Sequence, residues 1–237
     1  MYLLCLSIVT LLGQYLLDDV LAGKVDAKML VFLSAWALSA DQREQVLQAT
    51  RDRVAVWCYA PGYHSGDEVS LAAMQQLTGF RIKPVSPESA MAVPTEQGRS
   101  LGLSHSIGTD ARIEPLCAAA DATSDEVLAT YPDGSVAVAV RKTERGTSFF
   151  VGVPGVSSEL LRLAARDAGV HLYVETDCNV YHNGPYLVLH APQEGPVEIN
   201  TGVQRPVLDL LTGQHIGQGP QLRMLFRKGQ TRVLKIR

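Results

Sequence analysis

The sequence predicts two successive domains: a doubly wound α/β domain with a mostly parallel sheet over residues 1–169, then a small all-β sandwich over residues 170–237. Two observations carry the first. The runs at residues 29–35 and 54–59 are apolar at nearly every position, and capped helical segments separate the strand-like runs. A strand buried on both faces reads as a continuous apolar run, and such strands alternating with helices stack into a covered parallel sheet. The third is a change of period after Gly169, where short strands punctuated by glycine turns replace the helical spacing.

Residues 2–12 open the chain with an apolar run too short to span a bilayer as a helix. With no basic segment before it and no small-x-small site after it, it does not read as a signal peptide. It predicts a buried helix or strand, and an opening so core-like suggests that something precedes it. Leu16, Leu17, Val20 and Leu21 then repeat at helical spacing, with Gly23 as a stop. After the strand at residues 29–35, Ser39-x-x-Gln42 is a capping box opening a helix to about Arg51. The second strand ends at Pro61-Gly62. Ser65-x-x-Glu68 reads as another capping box, starting a helix through Val69, Ala72, Ala73 and Leu77 that stops at Gly79.

Residues 84–125 show little periodicity and read as loops with one or two short strands. Tyr131-Pro-Asp-Gly134 and Glu144-Arg-Gly146 are turns flanking the strands at residues 136–140 and 149–151. Ser157 caps a last helix over residues 159–168 that presents Leu160, Leu161, Ala164 and Ala168 to a core. Beyond Gly169, strands are expected at residues 170–174, 180–181, 186–190, 197–200, 207–211, 222–226 and 233–236. Asn183-Gly184, Thr212-Gly213 and Lys228-Gly229 mark turns between them.

The 237 residues are 46% hydrophobic and 19% charged, which excludes disorder over most of the length. A net charge of -3 with scattered basic residues argues against nucleic acid as a partner. Nothing points to a membrane partner or to a cofactor, and the compartment stays open with the cytoplasm favoured. Cys5, Cys58, Cys117 and Cys178 form no C-x-x-C pair and read as buried thiols. No histidine spacing forms a metal motif; His64 with Asp67 and Glu68 is the nearest approach, and helix-terminal acids explain it as well.

Ligands of a doubly wound sheet bind at the C-terminal ends of its parallel strands. Trp36, Trp57, Tyr59 and Tyr63 fall there, with His64 beside them, and these five are the candidate ligand-binding residues. Aromatic faces stack on sugar rings, but they also fill cores and interfaces. Cys58 is the one candidate nucleophile. Its neighbours Trp57 and Tyr59 are too bulky for a strained elbow, and no His-x-Glu pair supplies a base. No pair of carboxylates suited to glycosidic cleavage stands out, so no catalytic residue is assigned.

Several runs resemble a known family. Tyr15-Leu-Leu-Asp-Asp-Val-Leu-Ala-Gly23, Met29-Leu-Val-Phe-Leu-Ser-Ala35 and Val56-Trp-Cys-Tyr-Ala-Pro-Gly62 are similar to the central domain of family-42-like glycoside hydrolases. That unit is the β-galactosidase trimerisation domain, with a class I glutamine-amidotransferase-like fold. Phe150-Val-Gly-Val-Pro154, Leu160-Leu-Arg162 and Ala168-Gly-Val-His-Leu-Tyr173 resemble its end. Asn179-Val-Tyr181, Tyr186-Leu-Val-Leu-His190 and Asp209-Leu-Leu-Thr-Gly213 resemble the β domain that follows it. The resemblance implies a homo-oligomer, a trimer if it holds in full, attached to a (β/α)8 barrel that carries the catalytic carboxylates. A barrel takes about 250 residues, so those carboxylates have no counterparts here. The expected function is that of a non-catalytic accessory and oligomerisation portion of a glycoside hydrolase. The alternatives are a carbohydrate-binding module built on Trp57, Tyr59 and Tyr63, and an amidotransferase-like enzyme using Cys58.

Overall fold

The computed structural model describes residues 13–237, so the apolar run at residues 2–12 and Cys5 lie outside the described residues. Two compact units emerge, one of residues 15–168 and one containing residues 169–237.

The first unit begins with a short helix α1 (Leu17–Leu21), the strand β1 (Met29–Phe32), helix α2 (Ala40–Ala49) and strand β2 (Arg53–Cys58). Ser39 caps α2 as its sequence predicts. Its hydroxyl accepts the Gln42 N–H at 3.2 Å, and the Gln42 side chain accepts the Ser39 N–H at 2.9 Å. The second predicted capping box is not one. Ser65 and Glu68 close a hairpin of β3 (His64–Ser65) and β4 (Glu68–Val69), turning through Gly66 at φ +65°. The Ser65 hydroxyl accepts from Arg43 instead. The helix that follows, α3 (Leu71–Thr78), takes its cap from Ser70 and ends at left-handed Gly79, as the glycine predicts.

Residues 82–119 carry more structure than their sequence suggests: β5 (Ile82–Val85), β6 (Ala90–Pro94), the short α4 (Glu96–Ser100), β7 (Ile107–Thr109) and β8 (Leu116–Ala119). Next come β9 (Val127–Thr130), β10 (Val136–Thr143) and β11 (Gly146–Val151), then α5 (Ser158–Asp167), whose first turn is capped by Ser157.

Seven strands form one sheet in the order β1-β2-β11-β10-β9-β6-β7. Only β1–β2 and β2–β11 pair in parallel; the other four pairings are antiparallel. The expectation of a mostly parallel sheet is therefore corrected to a mixed one, and the protein is mostly β. The reason lies in the turns. A parallel connection needs a crossover of a dozen residues, and the tight turns at Pro132–Gly134 and Glu144–Arg145 force β9, β10 and β11 to fold back on one another.

The register fixes which side chains share a face. Leu30 and Phe32 of β1 line up with Ala55 and Trp57 of β2, and these four meet Val20, Leu38, Val46 and Leu77 in one buried cluster. The Phe32 and Trp57 rings stack with centroids 4.5 Å apart. Full burial of rings this size contributes about 2–3 kcal/mol each. Farther along the sheet, Arg141 grips Glu126 through two bonds of 2.6 and 2.8 Å. It also donates to the carbonyls of Gly79 and Asp121, and it covers the Phe80 ring at 4.1 Å.

The second unit contains β12 (Asn179–Asn183), β13 (Tyr186–His190), β14 (Gly195–Asn200), β15 (Pro206–Asp209), β16 (His215–Gln218), β17 (Gln221–Phe226) and β18 (Thr231–Ile236). Five strands pair antiparallel in the order β12-β13-β18-β15-β16, and β14 and β17 form a separate ribbon. Leu187, Leu189 and Leu234 of the sheet and Ile199 and Phe226 of the ribbon are buried, so each layer has one inward face. No strand forms at residues 170–174, where Val174 makes a single bridge to Ile199, whereas β16 forms without having been anticipated. Asp209 is fully buried at the end of β15. Its carboxylate accepts the Leu211 N–H at 2.9 Å and Arg232 Nη1–H at 2.6 Å.

Candidate functional site

The loops leaving the C-terminal ends of β1 and β2 zip together. Gly62 N–H donates to Ala35 O at 2.7 Å, His64 N–H to Trp36 O at 2.9 Å, and Leu38 N–H to His64 O at 3.2 Å. Four of the five candidate residues gather here. Trp36 and Tyr59 face each other at 4.9 Å between ring centroids, and Tyr63 meets the edge of His64 at 5.1 Å. Trp36 is the most open of them, 37% exposed, and Tyr63 and His64 are half-buried.

Trp57 is not part of this ledge. It lies in the buried cluster, 1% exposed and stacked on Phe32, with its indole N–H donated to Ser148 Oγ at 3.0 Å. Its expected place beside the other four is corrected on that geometry: residue 57 still belongs to β2 and packs into the sheet–helix core, whereas residue 59 has left the strand at a left-handed turn.

Tyr59 occupies the strained position. Its φ is +67°, a region that non-glycine residues seldom enter. Such a turn after a strand is where α/β hydrolases set a nucleophile. The Tyr59 phenol does not serve that way, because its O–H donates to Pro115 O at 2.6 Å and burial pushes its pKa up. Cys58 lies one residue too early, inside β2 and 3% exposed. Its sulfur accepts the Gly155 N–H at 3.3 Å, and burial raises the thiol's pKa despite that bond. A neutral, enclosed thiol without a histidine or carboxylate partner is chemically inert. The neighbouring Gly152-Val-Pro-Gly155 run serves packing, since a Cβ on Gly152 would lie 2.4 Å from Cys117 O.

One cluster escaped the sequence reading. Glu159, in the first turn of α5, accepts the backbone N–H of Ser104 at 2.9 Å and of His105 at 3.2 Å. It also takes the Ser104 hydroxyl and, at 2.8 Å, His105 Nδ1. Burial pushes the carboxyl up, but the donors from Ser104 and His105 outweigh it and hold its pKa down at about 2. The trio is Ser–His–Glu in composition only. A triad places serine and acid on opposite ring nitrogens, whereas here both meet Nδ1. The arrangement is a clamp on a loop. The signal in the sequence is the acid two residues after the Ser157 cap, whose partners lie some fifty residues earlier.

Among the described residues no group of three His, Cys, Asp or Glu side chains is arranged to hold a metal ion, and no helix is long and apolar enough to cross a membrane.

No family model matches the chain, and no curated protein matches it in sequence. Solved structures do match. A β-galactosidase from Bacillus circulans sp. alkalophilus superposes with a TM-score of 0.60 at 17% identity, over 89% of this chain and 33% of that one. A β-galactosidase from the Antarctic haloarchaeon Halorubrum lacusprofundi gives 0.56 at 13% identity, over 88% and 31%. One from the psychrophilic Marinomonas ef1 gives 0.50 at 10% identity, over 89% and 29%. The likeness is one of fold, and this chain spans about a third of the length of each β-galactosidase.

Proposed function

We propose that the chain is an accessory, non-catalytic portion of a β-galactosidase-like glycoside hydrolase, forming an oligomer and working beside a (β/α)8 catalytic domain. The observation that carries this reading is the fold likeness over 89% of this chain to 33% of a β-galactosidase chain. The chemistry of the strand-end site supports it. Cys58, the candidate nucleophile, is enclosed and neutral, and the strained turn residue is a tyrosine whose hydroxyl is already committed. What the ledge offers is ring surface, chiefly Trp36, suited to a sugar or to an apolar side chain of a neighbouring subunit.

The test is the activity and assembly of the purified chain. Nitrophenyl glycosides should be hydrolysed no faster than by buffer, and sedimentation should show a concentration-dependent oligomer. Turnover that survives purification and disappears on Cys58→Ala would overturn the non-catalytic reading. A strict monomer at high concentration would remove the oligomer. Reading the DNA upstream of the Met1 codon is the complementary observation, since an in-frame barrel-coding stretch is what this proposal requires.

A second reading has its own observation. Trp36, open at 37% and backed by Tyr59, is placed to stack on a sugar ring directly. Saturable quenching of its fluorescence by galactose-containing oligosaccharides would support it, and flat titrations would exclude it.

A further inference from the structure

A cavity of about 400 Å³ opens beside the N-terminal end of β2 and the turn at residues 143–146, between the last turn of α2 and the C-terminal end of α3. Its origin is legible in the register. On the face beneath these helices β2 presents Arg53, Ala55 and Trp57, and β11 presents Gly146, Ser148 and Phe150, paired one to one. Ala55 leaves the space beneath the helices unfilled, and Ser148 reaches them only as a short polar bridge to the end of α3. Leu47 and Thr50 wall one side and Leu77 and Thr78 the other.

The interior is apolar and its polar atoms are already paired. Trp57 Nε1–H donates to Ser148 Oγ, whose own proton goes to Thr78 O at 2.7 Å. The Thr50 hydroxyl donates to Val46 O at 3.1 Å. Among the described residues the only buried side-chain nitrogen or oxygen without a partner is Arg232 Nε, in the other unit. A cavity of this kind holds an apolar body rather than a sugar, which would bring hydroxyls with nothing to receive them. A cavity of roughly 150 Å³ accepts benzene, so about 400 Å³ leaves room for a substituted ring or two fused rings.

The mouth adds a sign. Arg53 and Arg145 stand there against Glu144, a net positive edge. Arg53 is half-committed, to Val25 O at 3.1 Å and to Asp26 at 4.0 Å. The Arg145 side chain has no hydrogen bond or ion pair among the described residues. We infer that this cavity is a binding site for a small aromatic carboxylate, its ring against Leu47, Leu77 and the Trp57 indole and its carboxylate at Arg145. This site is separate from the strand-end ledge and does not depend on the accessory role proposed above.

The protein has two tryptophans, so Trp36→Phe leaves Trp57 as the sole emitter. The probe is 4-iodobenzoate, whose heavy atom quenches an indole that it touches. The expected result is saturable quenching with a midpoint below a millimolar. Ala55→Leu, which fills the floor, should raise that midpoint at least tenfold. Gln76→Phe, which closes the mouth from the exposed side of α3, should do the same and serves if the floor variant does not fold. Arg145→Gln should weaken binding about two- to fivefold, the size of an exposed charge contact. Quenching that rises linearly without saturation, or saturation that persists unchanged in the filling variants that fold, overturns the site.

Discussion

Removing the Glu159 carboxylate charge gives the sharpest test of how the loop at residues 104–105 is held. In the folded protein this carboxylate takes four donors, two of them backbone N–H groups, while its side chain is only 13% exposed. Its pKa falls from the ordinary 4.5 to about 2. At 1.36 kcal/mol per unit this corresponds to at most about 3 kcal/mol, and partial exposure brings the expectation to about 2–3 kcal/mol. The sign follows from the direction. The folded-state value is depressed, so the stabilisation is fully present above pH 4.5 and is lost as the pH falls towards 2. Glu159→Gln keeps the shape but turns an amide N–H₂ towards groups that are themselves donors. The assay is urea denaturation of wild type and variant, followed by circular dichroism at pH 7 and at pH 3. At pH 7 the variant should be less stable by about 2–3 kcal/mol, and at pH 3 more than half of that gap should have closed. A gap of the same size at both pH values would refute the reasoning, because it would mean that packing rather than charge holds the loop.

Three further outcomes follow from the same physics. Arg141→Ala should destabilise the first unit by about 2–4 kcal/mol, since it strands Glu126 and uncovers Phe80; a double-mutant cycle with Glu126→Gln should return a coupling above about 1 kcal/mol. Asp209→Ala should cost the second unit about 3 kcal/mol or more in a thermal melt, because it leaves Arg232 without its buried partner and frees the Leu211 N–H. Iodoacetamide at pH 8 should alkylate Cys58 far more slowly than the same residue in urea-unfolded protein, as mass spectrometry of the peptide would show; equal rates would restore Cys58 as a reactive thiol. Cys117 and Cys178, both pushed to about 11 by burial, should be equally slow.

The features that local sequence specifies were legible in advance. The Ser39 capping box, the Gly79 stop, the Ser157 cap and β13 at Tyr186–His190 all depend on neighbours within a few residues. Ser65-x-x-Glu68 misled because the same spacing closes a two-residue hairpin when Gly66 takes a left-handed turn, and Arg43, 22 residues earlier, claims the serine. The strands within residues 82–119 were unreadable for a different reason. β5 pairs with β8 and β6 with β7 and β9, so each is stabilised by a partner far along the chain rather than by its own period. Four of the five candidate contacts do share one ledge, because they sit in turns that follow adjacent strands. Trp57 stands apart because it lies inside β2 and packs in the core, whereas Tyr59 is past the strand end in a left-handed turn, and the Glu159 clamp was hidden because its donors, two of them backbone N–H groups, lie more than fifty residues earlier.

The parallel pairing of β2 with β11 has a consequence for the order of events at the ribosome. The two strands are roughly ninety residues apart, so closing that contact is the slow, long-range step of the first unit. Until residues 146–151 have been synthesised, β2 has β1 on one side and an open edge on the other, although five of its six residues are buried in the finished sheet. A nascent chain stalled between these two points exposes a sticky apolar template, and holdase chaperones are expected to act in that interval.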